Sequence, residues 1–103
     1  MKLRWTRRAG LDLLSIGEFI ASDNPGAAKR WVDRLRQRAR LAARMPNPGR
    51  RLPEAPHKDV REVVLGHYRI VYRVLPGVLE VLMVLESHRQ LVDAQIDRRV
   101  ESE

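Results

Sequence analysis

The sequence predicts an α+β fold in which a two-helix hairpin packs on one face of a mainly antiparallel sheet, in the order β-α-α-β-β-β with a short C-terminal helix. Three observations predict it. Residues 60–89 are rich in Val and Leu and contain two glycine turns, residues 9–42 carry apolar side chains at helical spacing, and residues 45–58 contain four prolines. The length of 103 residues suits one domain, which we place at residues 1–103.

The stretch 60–89 is predicted to form three strands joined by tight turns at Gly66–His67 and Pro76–Gly77. Pairing outward from the turns places Arg73 opposite Glu80. A Pro-Gly turn of type II would splay a two-residue hairpin, so a longer loop that changes the faces of the last strand stays an alternative. In the simple register one face is apolar and is predicted to be buried: Val63, Leu65, Tyr68, Ile70, Tyr72, Val74, Leu79, Val81, Met83 and Leu85.

The opposite face of these strands is only half polar, whereas a solvated sheet face is mostly polar. Two interpretations stay open. The chain's own loops and tail partly cover this face, or it is a groove in which a partner's apolar side chains lie between arginines. The residues concerned are Glu62, Val64, Arg69, Val71, Arg73, Glu80, Leu82, Val84 and Glu86.

The first half of the chain predicts a short strand, Lys2–Trp5, followed by two helices. Thr6 is the expected N-cap of the first helix, and Asn24 with Pro25 at the first helical position begins the second, which runs to about Arg44. The small residues on the inner stripes favour close packing of the two helices. The stripes are Ala9, Leu13, Ile16 and Ile20 in one helix and Ala28, Val32, Leu35, Ala39 and Ala42 in the other.

The prolines of residues 45–58 predict an extended connection that is neither a helix nor a central strand. After the last strand, Ser87–Gln90 has the form of a capping box. It predicts a short C-terminal helix with Leu91, Val92 and Ile96 facing inward. Residues 101–103 are expected to fray.

The composition limits the classes of function. The chain has no run of about 18 apolar residues, no signal-peptide pattern and no cysteine, so we expect a cytoplasmic protein that does not enter the membrane. Twenty Lys and Arg against thirteen Asp and Glu give a net charge of +7. Nearly all the cations are Arg, which suits carboxylate or phosphate, so an acidic protein and nucleic acid are equal candidates for a partner.

The outer side of the second helix carries much of this charge. A solvated charged face is the default for such a run, and a surface for nucleic acid or an acidic partner is the alternative. The residues are Lys29, Arg30, Arg34, Arg36, Arg40 and Arg44.

The sequence contains no Gly-rich phosphate loop, no histidine and carboxylate cluster at metal spacing and no nucleophile triad, so we predict no cofactor and no metal site. One catalytic alternative stays open. His88 lies beside Arg89, and Arg69 would reach the same sheet face. Such a cluster could cleave RNA if the arginines hold the phosphate and the imidazole moves a proton.

The order of elements resembles the RelE/ParE superfamily of toxins from bacterial toxin–antitoxin pairs, and the resemblance covers essentially the whole chain. The matching residues are Ala9, Asp12-Leu13, Ile16, Phe19-Ile20, Pro25, Ala28, Leu35, Pro48-Gly49-Arg50, Val60-Arg61-Glu62-Val63, Tyr68 to Arg73 and His88-Arg89.

Two activities occur in that superfamily. The resemblance to RelE-type members implies a ribosome-dependent mRNA endoribonuclease, for which Arg69 and Arg89 match basic positions. However, Arg61-Glu62 stands where two lysines would be expected, and no Tyr follows Tyr72. The first helix and the Pro-Gly-Arg link are similar to ParE-type members. This implies a non-enzymatic toxin that poisons DNA gyrase, blocks replication and serves plasmid stabilisation, without sequence-specific DNA binding of its own.

A ParE-type toxin implies a ParD-like antitoxin whose C-terminal segment folds on binding, and the half-apolar sheet face with the helical hairpin offers anchors for an acidic amphipathic segment. We expect Arg69→Glu or Arg73→Glu to weaken that binding more than Arg36→Glu. The predicted antitoxin-binding residues are Leu11, Leu14, Phe19, Trp31, Arg61, Val64, Arg69, Val71, Arg73, Leu82 and Val84.

Overall fold

The computed structural model describes residues 1–45 and 49–101. Its elements in chain order are β1 (Lys2–Trp5), α1 (Arg7–Ala21), α2 (Pro25–Arg44), β2 (Arg50–Arg51), β3 (Arg61–Leu65), β4 (Tyr68–Leu75), β5 (Val78–Glu86) and α3 (Asp93–Glu101). The five strands form one sheet in the order β1-β5-β4-β3-β2, in which β1 runs parallel to β5 and the other neighbours are antiparallel. The predicted α+β fold is confirmed.

The predicted helix starts are confirmed atom by atom. The Thr6 hydroxyl accepts from the Ala9 amide at 3.1 Å, and the Asn24 side chain accepts from the Ala27 amide at 3.0 Å. Each cap satisfies an N–H that has no partner inside its helix. α1 and α2 then pack on one face of the sheet around a first core of Ala9, Leu13, Leu35, Ala39, Ala42, Ala43, Val63, Ile70, Tyr72, Leu79, Val81 and Val84.

Both predicted tight turns are present, and Gly66 and Gly77 have positive φ values of 58° and 71°. The two-residue turn at Pro76–Gly77 keeps Leu75 paired with Val78, so the longer-loop alternative is wrong. Gly66 has a second constraint, because a Cβ there would lie 2.6 Å from Cη2 of Trp31. This position therefore tolerates only glycine without a shift of the tryptophan.

A β-bulge in the β4–β5 ladder corrects the predicted faces of the last strand. Tyr72 pairs with Val81, but its neighbour Val71 pairs with Met83, so Leu82 is an additional residue. Beyond the bulge the side chains exchange faces: Val84 joins the first core, and Met83 and Leu85 do not. The prediction for these three residues is wrong, as is burial of Val74, which is 38% exposed.

The chain itself covers part of the second face of the sheet, which confirms the first of the two interpretations. Residues 52–60 and α3 lie over this part and enclose a second core, consisting of Leu52, Ala55, Val60, Val71, Leu82, Met83, Leu85, Leu91 and Ile96. Val64 on β3 stays 46% exposed beside a depression of about 500 Å³ that Arg69 also lines. The proline-rich link also contributes the two-residue edge strand β2, while Pro46 and Pro48 lie outside the described residues.

The predicted start of the C-terminal helix is wrong. The amide of Ser87 donates to His67 and that of Arg89 to Glu86, so this segment continues the end of the sheet as a turn. α3 begins six residues later at Asp93, with the Gln95 side chain accepting from the Val92 amide at 2.9 Å. Leu91 and Ile96 are buried as predicted, but Val92 is 60% exposed. Of residues 101–103, which were expected to fray, Glu101 is the last residue of α3. Residues 102 and 103 lie outside the described residues.

Candidate partner-binding surface

The exposed apolar side chains of the molecule concentrate on α1. Leu11 is 49% exposed, Leu14 58% and Phe19 76%. All three were predicted as contact residues, and none of them belongs to the buried side of α1, which carries Ala9 and Leu13. A run of large apolar side chains in water is typical of a protein interaction site.

Leu14 borders a groove between α1 and α2 of about 370 Å³, here called the α1–α2 groove. Its lining is Gly10, Leu13, Leu14, Gly17, Glu18, Ala21, Ala28, Lys29, Val32, Asp33 and Arg36. Gly17 is needed for the close approach of the helices, because a Cβ there would lie 3.2 Å from Cγ2 of Val32. Small residues make the floor and charges of both signs make the rim, a form that suits the apolar face of another helix.

Phe19 lies on the other side of α1, over a second depression of about 500 Å³, here called the α1–β5 depression. Ile16 and Val84 contribute apolar surface there, and Asp12, Glu86 and Arg89 contribute charge. Leu14 and Phe19 therefore belong to two depressions separated by α1, and Leu11 lines neither of them. A partner segment that used both would have to cross this helix.

Trp31 is half-buried and is held by intramolecular contacts. Its ring meets the Tyr68 ring edge-on at 5.5 Å, and the Arg34 guanidinium lies 4.6 Å from its centre. With Gly66 beneath it, Trp31 joins α2 to the β3–β4 turn. In this structure Trp31 therefore packs between elements of the chain itself.

Three of the predicted contacts on the second face are not accessible here. Val71 and Leu82 are 0% exposed under the link and α3, and Val84 is 3% exposed in the first core. The expectation of an open groove at these residues is wrong. For Val71 and Leu82 the physical reason is that the link and α3 cover this part of the face, and for Val84 it is the bulge, which turns the side chain toward the first core.

Arg69 is also buried, in a network that holds the link and the segment after β5 to the sheet. Its Nε donates to Glu62 at 2.6 Å, and Nη1 and Nη2 donate to Glu54 at 2.7 Å each. Nη1 also donates to the carbonyl of Arg89 at 2.9 Å. The Glu54 hydrogen bonds, together with Glu62, raise the pKa of Arg69, and the Arg69 hydrogen bonds lower the pKa of Glu54. A guanidinium so occupied cannot hold a phosphate.

The remaining predicted contacts lie away from α1. Arg73 donates to Glu80 at 2.8 Å, Arg61 donates to the Gly49 carbonyl at 3.2 Å, and Val64, which lies on β3, is 46% exposed. Burial acts to raise the pKa of Glu80, but hydrogen bonds from Arg73 and Arg4 outweigh it and leave that pKa lowered. The structure therefore does not assemble the eleven predicted residues into one surface.

The side chains of the catalytic alternative do not face one common site. His88 and Arg89 are exposed on the turn after β5, and Arg89 lines the α1–β5 depression, but Arg69 faces Glu54 and Glu62 beneath that turn. Among residues 1–45 and 49–101, no group of three or more His, Cys, Asp or Glu side chains could hold a metal ion. No helix in that part of the chain is both long and apolar enough to cross a membrane.

Sequence reasoning missed Glu54 and the ion pair that holds α3 to α1. Arg99 Nη1 and Nη2 donate to the Asp12 carboxylate at 2.7 and 3.0 Å, and Asp12 also accepts from the Val84 amide at 3.1 Å. Asp12 and Arg99 are 87 residues apart, so no local pattern could have paired them.

Comparison with known proteins gives consistent matches. A family described as ParE toxin of type II toxin-antitoxin system, parDE, matches residues 3–91. Toxin Y4kP of Sinorhizobium fredii is 38% identical over 91 residues, 86% of this chain and 91% of that protein. Toxin RelE2 of Caulobacter vibrioides is 34% identical over 85 residues, 82% of this chain and 93% of that protein. A solved chain of the chromosomal ParDE TA system from P. aeruginosa has a TM-score of 0.71 and 26% identity, covering 84% of this chain and 95% of that chain.

Proposed function

Since the chain belongs to the ParE toxin family of type II toxin–antitoxin systems, we propose that it inhibits growth by poisoning DNA gyrase in the cytoplasm, and that direct binding of a ParD-like antitoxin neutralises it. The proposal of gyrase as the target rests on the family alone, because no side-chain geometry identifies that enzyme. The P. aeruginosa relative comes from a ParDE pair, which supports an antitoxin as the partner.

The observation that carries the antitoxin proposal is the exposed apolar surface of α1 beside the α1–α2 groove. Leu14, at 58% exposure, stands at the edge of a groove with a Gly and Ala floor. An amphipathic antitoxin helix would place its apolar side chains in this groove. Its acidic side chains would meet Lys29 and Arg36 on the rim, and its basic side chains would meet Glu18 and Asp33.

A binding mechanism fits this chain better than catalysis because Arg69, the central cation of the catalytic alternative, is neutralised by two buried carboxylates. A general acid–base site needs a phosphate-binding group within reach of its proton donor. Here the hydrogen bonds of Arg69 stabilise the fold.

One observation keeps an mRNA endoribonuclease as the second candidate. A relative named toxin RelE2 is 34% identical over 82% of this chain, and His88 and Arg89 are exposed. In this alternative the imidazole of His88 would move the proton and Arg89 would bind the phosphate.

Two assays on the purified toxin distinguish the candidates: gyrase supercoiling of plasmid DNA, and messenger cleavage on translating ribosomes. We expect inhibited supercoiling with intact messenger, and the same inhibition by His88→Ala and Arg89→Ala. Cut messenger with normal supercoiling would overturn the proposal and would make these two residues the active site.

The antitoxin arm of the experiment adds the cognate antitoxin to the supercoiling assay and measures its affinity by calorimetry. We expect antitoxin to restore supercoiling, and Leu14→Asp to weaken binding by about 100-fold, since a buried apolar anchor contributes about 2 kcal/mol or more. Val92→Asp is the matched control, because Val92 is 60% exposed on the segment before α3. Equal affinity of both variants would exclude the α1–α2 groove as the antitoxin site.

A further inference from the structure

We propose that the outward side of α2 binds the phosphate backbone of duplex DNA without reading its sequence. This α2 basic face consists of the exposed residues Lys29, Arg30, Arg34, Arg36, Arg40 and Arg44, of which Lys29 and Arg36 also border the α1–α2 groove. The proposal concerns the toxin alone and goes beyond its action on gyrase and its antitoxin. Backbone contacts hold a protein on DNA but carry no sequence information.

The spacing of the cations produces one continuous positive surface. Arg36, Arg40 and Arg44 follow one another at intervals of four residues, and so do Arg30 and Arg34. Residues four apart lie on the same side of a helix, and 15 residues at 1.5 Å each make the face about 22 Å long. That length matches roughly six base pairs of duplex at about 3.4 Å per pair.

Acidic neighbours do not balance this charge. Asp33 is the one carboxylate in α2, and it pairs with Lys29 at 3.4 Å. Like charges at a spacing of four residues destabilise a helix. An ordinary solvated face alternates its signs, as α3 does with Asp93, Asp97 and Arg98. A polyanion would relieve the repulsion along α2.

The composition of the α2 basic face favours a nucleic acid over an acidic protein. Protein interfaces depend on apolar and aromatic anchors, and here only Leu41, at 40% exposure, offers a large apolar side chain. The apolar anchors lie on α1 instead. Arginine forms two parallel hydrogen bonds to a phosphate, and backbone binding requires no apolar contact.

Two contacts partly order the α2 basic face before any ligand binds. The Arg34 guanidinium stacks 4.6 Å from the centre of the Trp31 ring, and Arg40 Nη1 donates to Gln37 at 3.2 Å. Side chains that are already held lose less conformational entropy on binding. A depression of about 360 Å³ lies on this face, and Arg34, Arg36 and Arg40 line it together with Asp33 and Gln37.

Fluorescence anisotropy of a labelled 20-base-pair duplex of arbitrary sequence, titrated with the toxin at several KCl concentrations, tests the proposal. We expect wild-type affinity to fall steeply with salt. Arg30→Gln/Arg40→Gln removes two phosphate contacts, so we expect about 10-fold weaker binding at low salt and a slope of log K against log[salt] shallower by about 1.8. Glutamine has a helix propensity close to that of arginine, so α2 should persist.

The matched control is Arg8→Gln/Arg98→Gln, which removes the same net charge from exposed positions on α1 and α3. We expect this pair to change the affinity by less than threefold. Equal losses for the two double variants would show a general charge effect and overturn the proposal, and so would the absence of wild-type binding. If Arg30→Gln/Arg40→Gln weakens the antitoxin complex and leaves DNA binding unchanged, the face is an acidic-protein site and the proposal is wrong.

Discussion

The two faces of the sheet are closed by different means. On one face α1 and α2 cover an almost entirely apolar core with regular helices. On the other, an irregular link and the nine-residue α3 cover a smaller core that surrounds the charges of Glu62 and Arg69. The link and the segment after β5 attach through Glu54, which accepts from both Arg69 and the Leu91 amide.

The two faces are stabilised by different kinds of contact. On the helical face the burial of apolar side chains stabilises the packing, and this effect is nondirectional and tolerates small adjustments. The other face depends on hydrogen-bonded charges, and removing one partner leaves a buried charge without compensation. The two faces should therefore respond differently to substitution and to pH.

The largest expected effect is loss of the buried network. Arg69→Met keeps much of the side-chain volume but leaves Glu54 without its cation and Glu62 with only Arg50, so we expect about 3–5 kcal/mol lower unfolding free energy in urea. Arg36→Met, on the exposed side of α2, is the control and should stay within about 0.5 kcal/mol. A loss below 1 kcal/mol for Arg69→Met would contradict the proposed role. Arg69→Glu would break the same network, so a weaker antitoxin complex of this variant would report a loss of folding and not the loss of a binding contact.

An intermediate effect is expected from cavities on the two faces. Leu35 and Ile96 are both 0% exposed. Leu35→Ala should lower the global unfolding free energy by about 2–5 kcal/mol and speed amide exchange throughout. Ile96→Ala should act mainly on α3, because a nine-residue helix with few tertiary supports opens locally. Hydrogen exchange measured residue by residue separates the two, and equal acceleration in α1 after Ile96→Ala would refute local opening.

The smallest effect is a pH dependence that belongs to the second face. The pKa of Glu54 is lowered in the folded state, so its contribution is complete above its unfolded pKa of about 4.3 and disappears as the pH falls through the lower folded value. Glu54→Gln should cost about 1–3 kcal/mol at pH 7, and the difference from wild type should shrink below pH 4. Urea titrations from pH 7 to pH 3 measure it, and a constant difference would show that Glu54 ionisation is not the cause.

The bulge shows where pattern reasoning loses accuracy. The turns and the pairing of Arg73 with Glu80 were predictable from Gly66 and Pro76–Gly77, because turn chemistry acts locally. The extra residue at Leu82 has no local signal, since Val, Leu and Met fill both faces of β5. One added residue reverses the faces beyond it, which is why Val84 was placed on the wrong side.

Part of the candidate site could be predicted from the sequence, because it also depends on a local pattern. Leu11, Leu14 and Phe19 fall off the inner stripe of α1, and helical periodicity alone exposes them. Arg69 and Val71 alternate on a strand, and alternation does not tell whether the face they share meets water or the chain's own link. Their burial depends on residues 52–60 and 91–96.

The sequence by itself determined the two long helices with their caps, the three-stranded meander, the family resemblance and the basic side of α2, because these depend on contacts within a few residues or on periodicity. Only the tertiary structure decided where α3 begins, that the link and α3 cover part of the second sheet face, that Arg69 is neutralised by Glu54 and Glu62, and that α1 separates two depressions. The physical reason is the range of the interactions. A half-buried ion pair such as Asp12–Arg99 joins groups distant in the chain, and its partners become identifiable only when the fold brings them together.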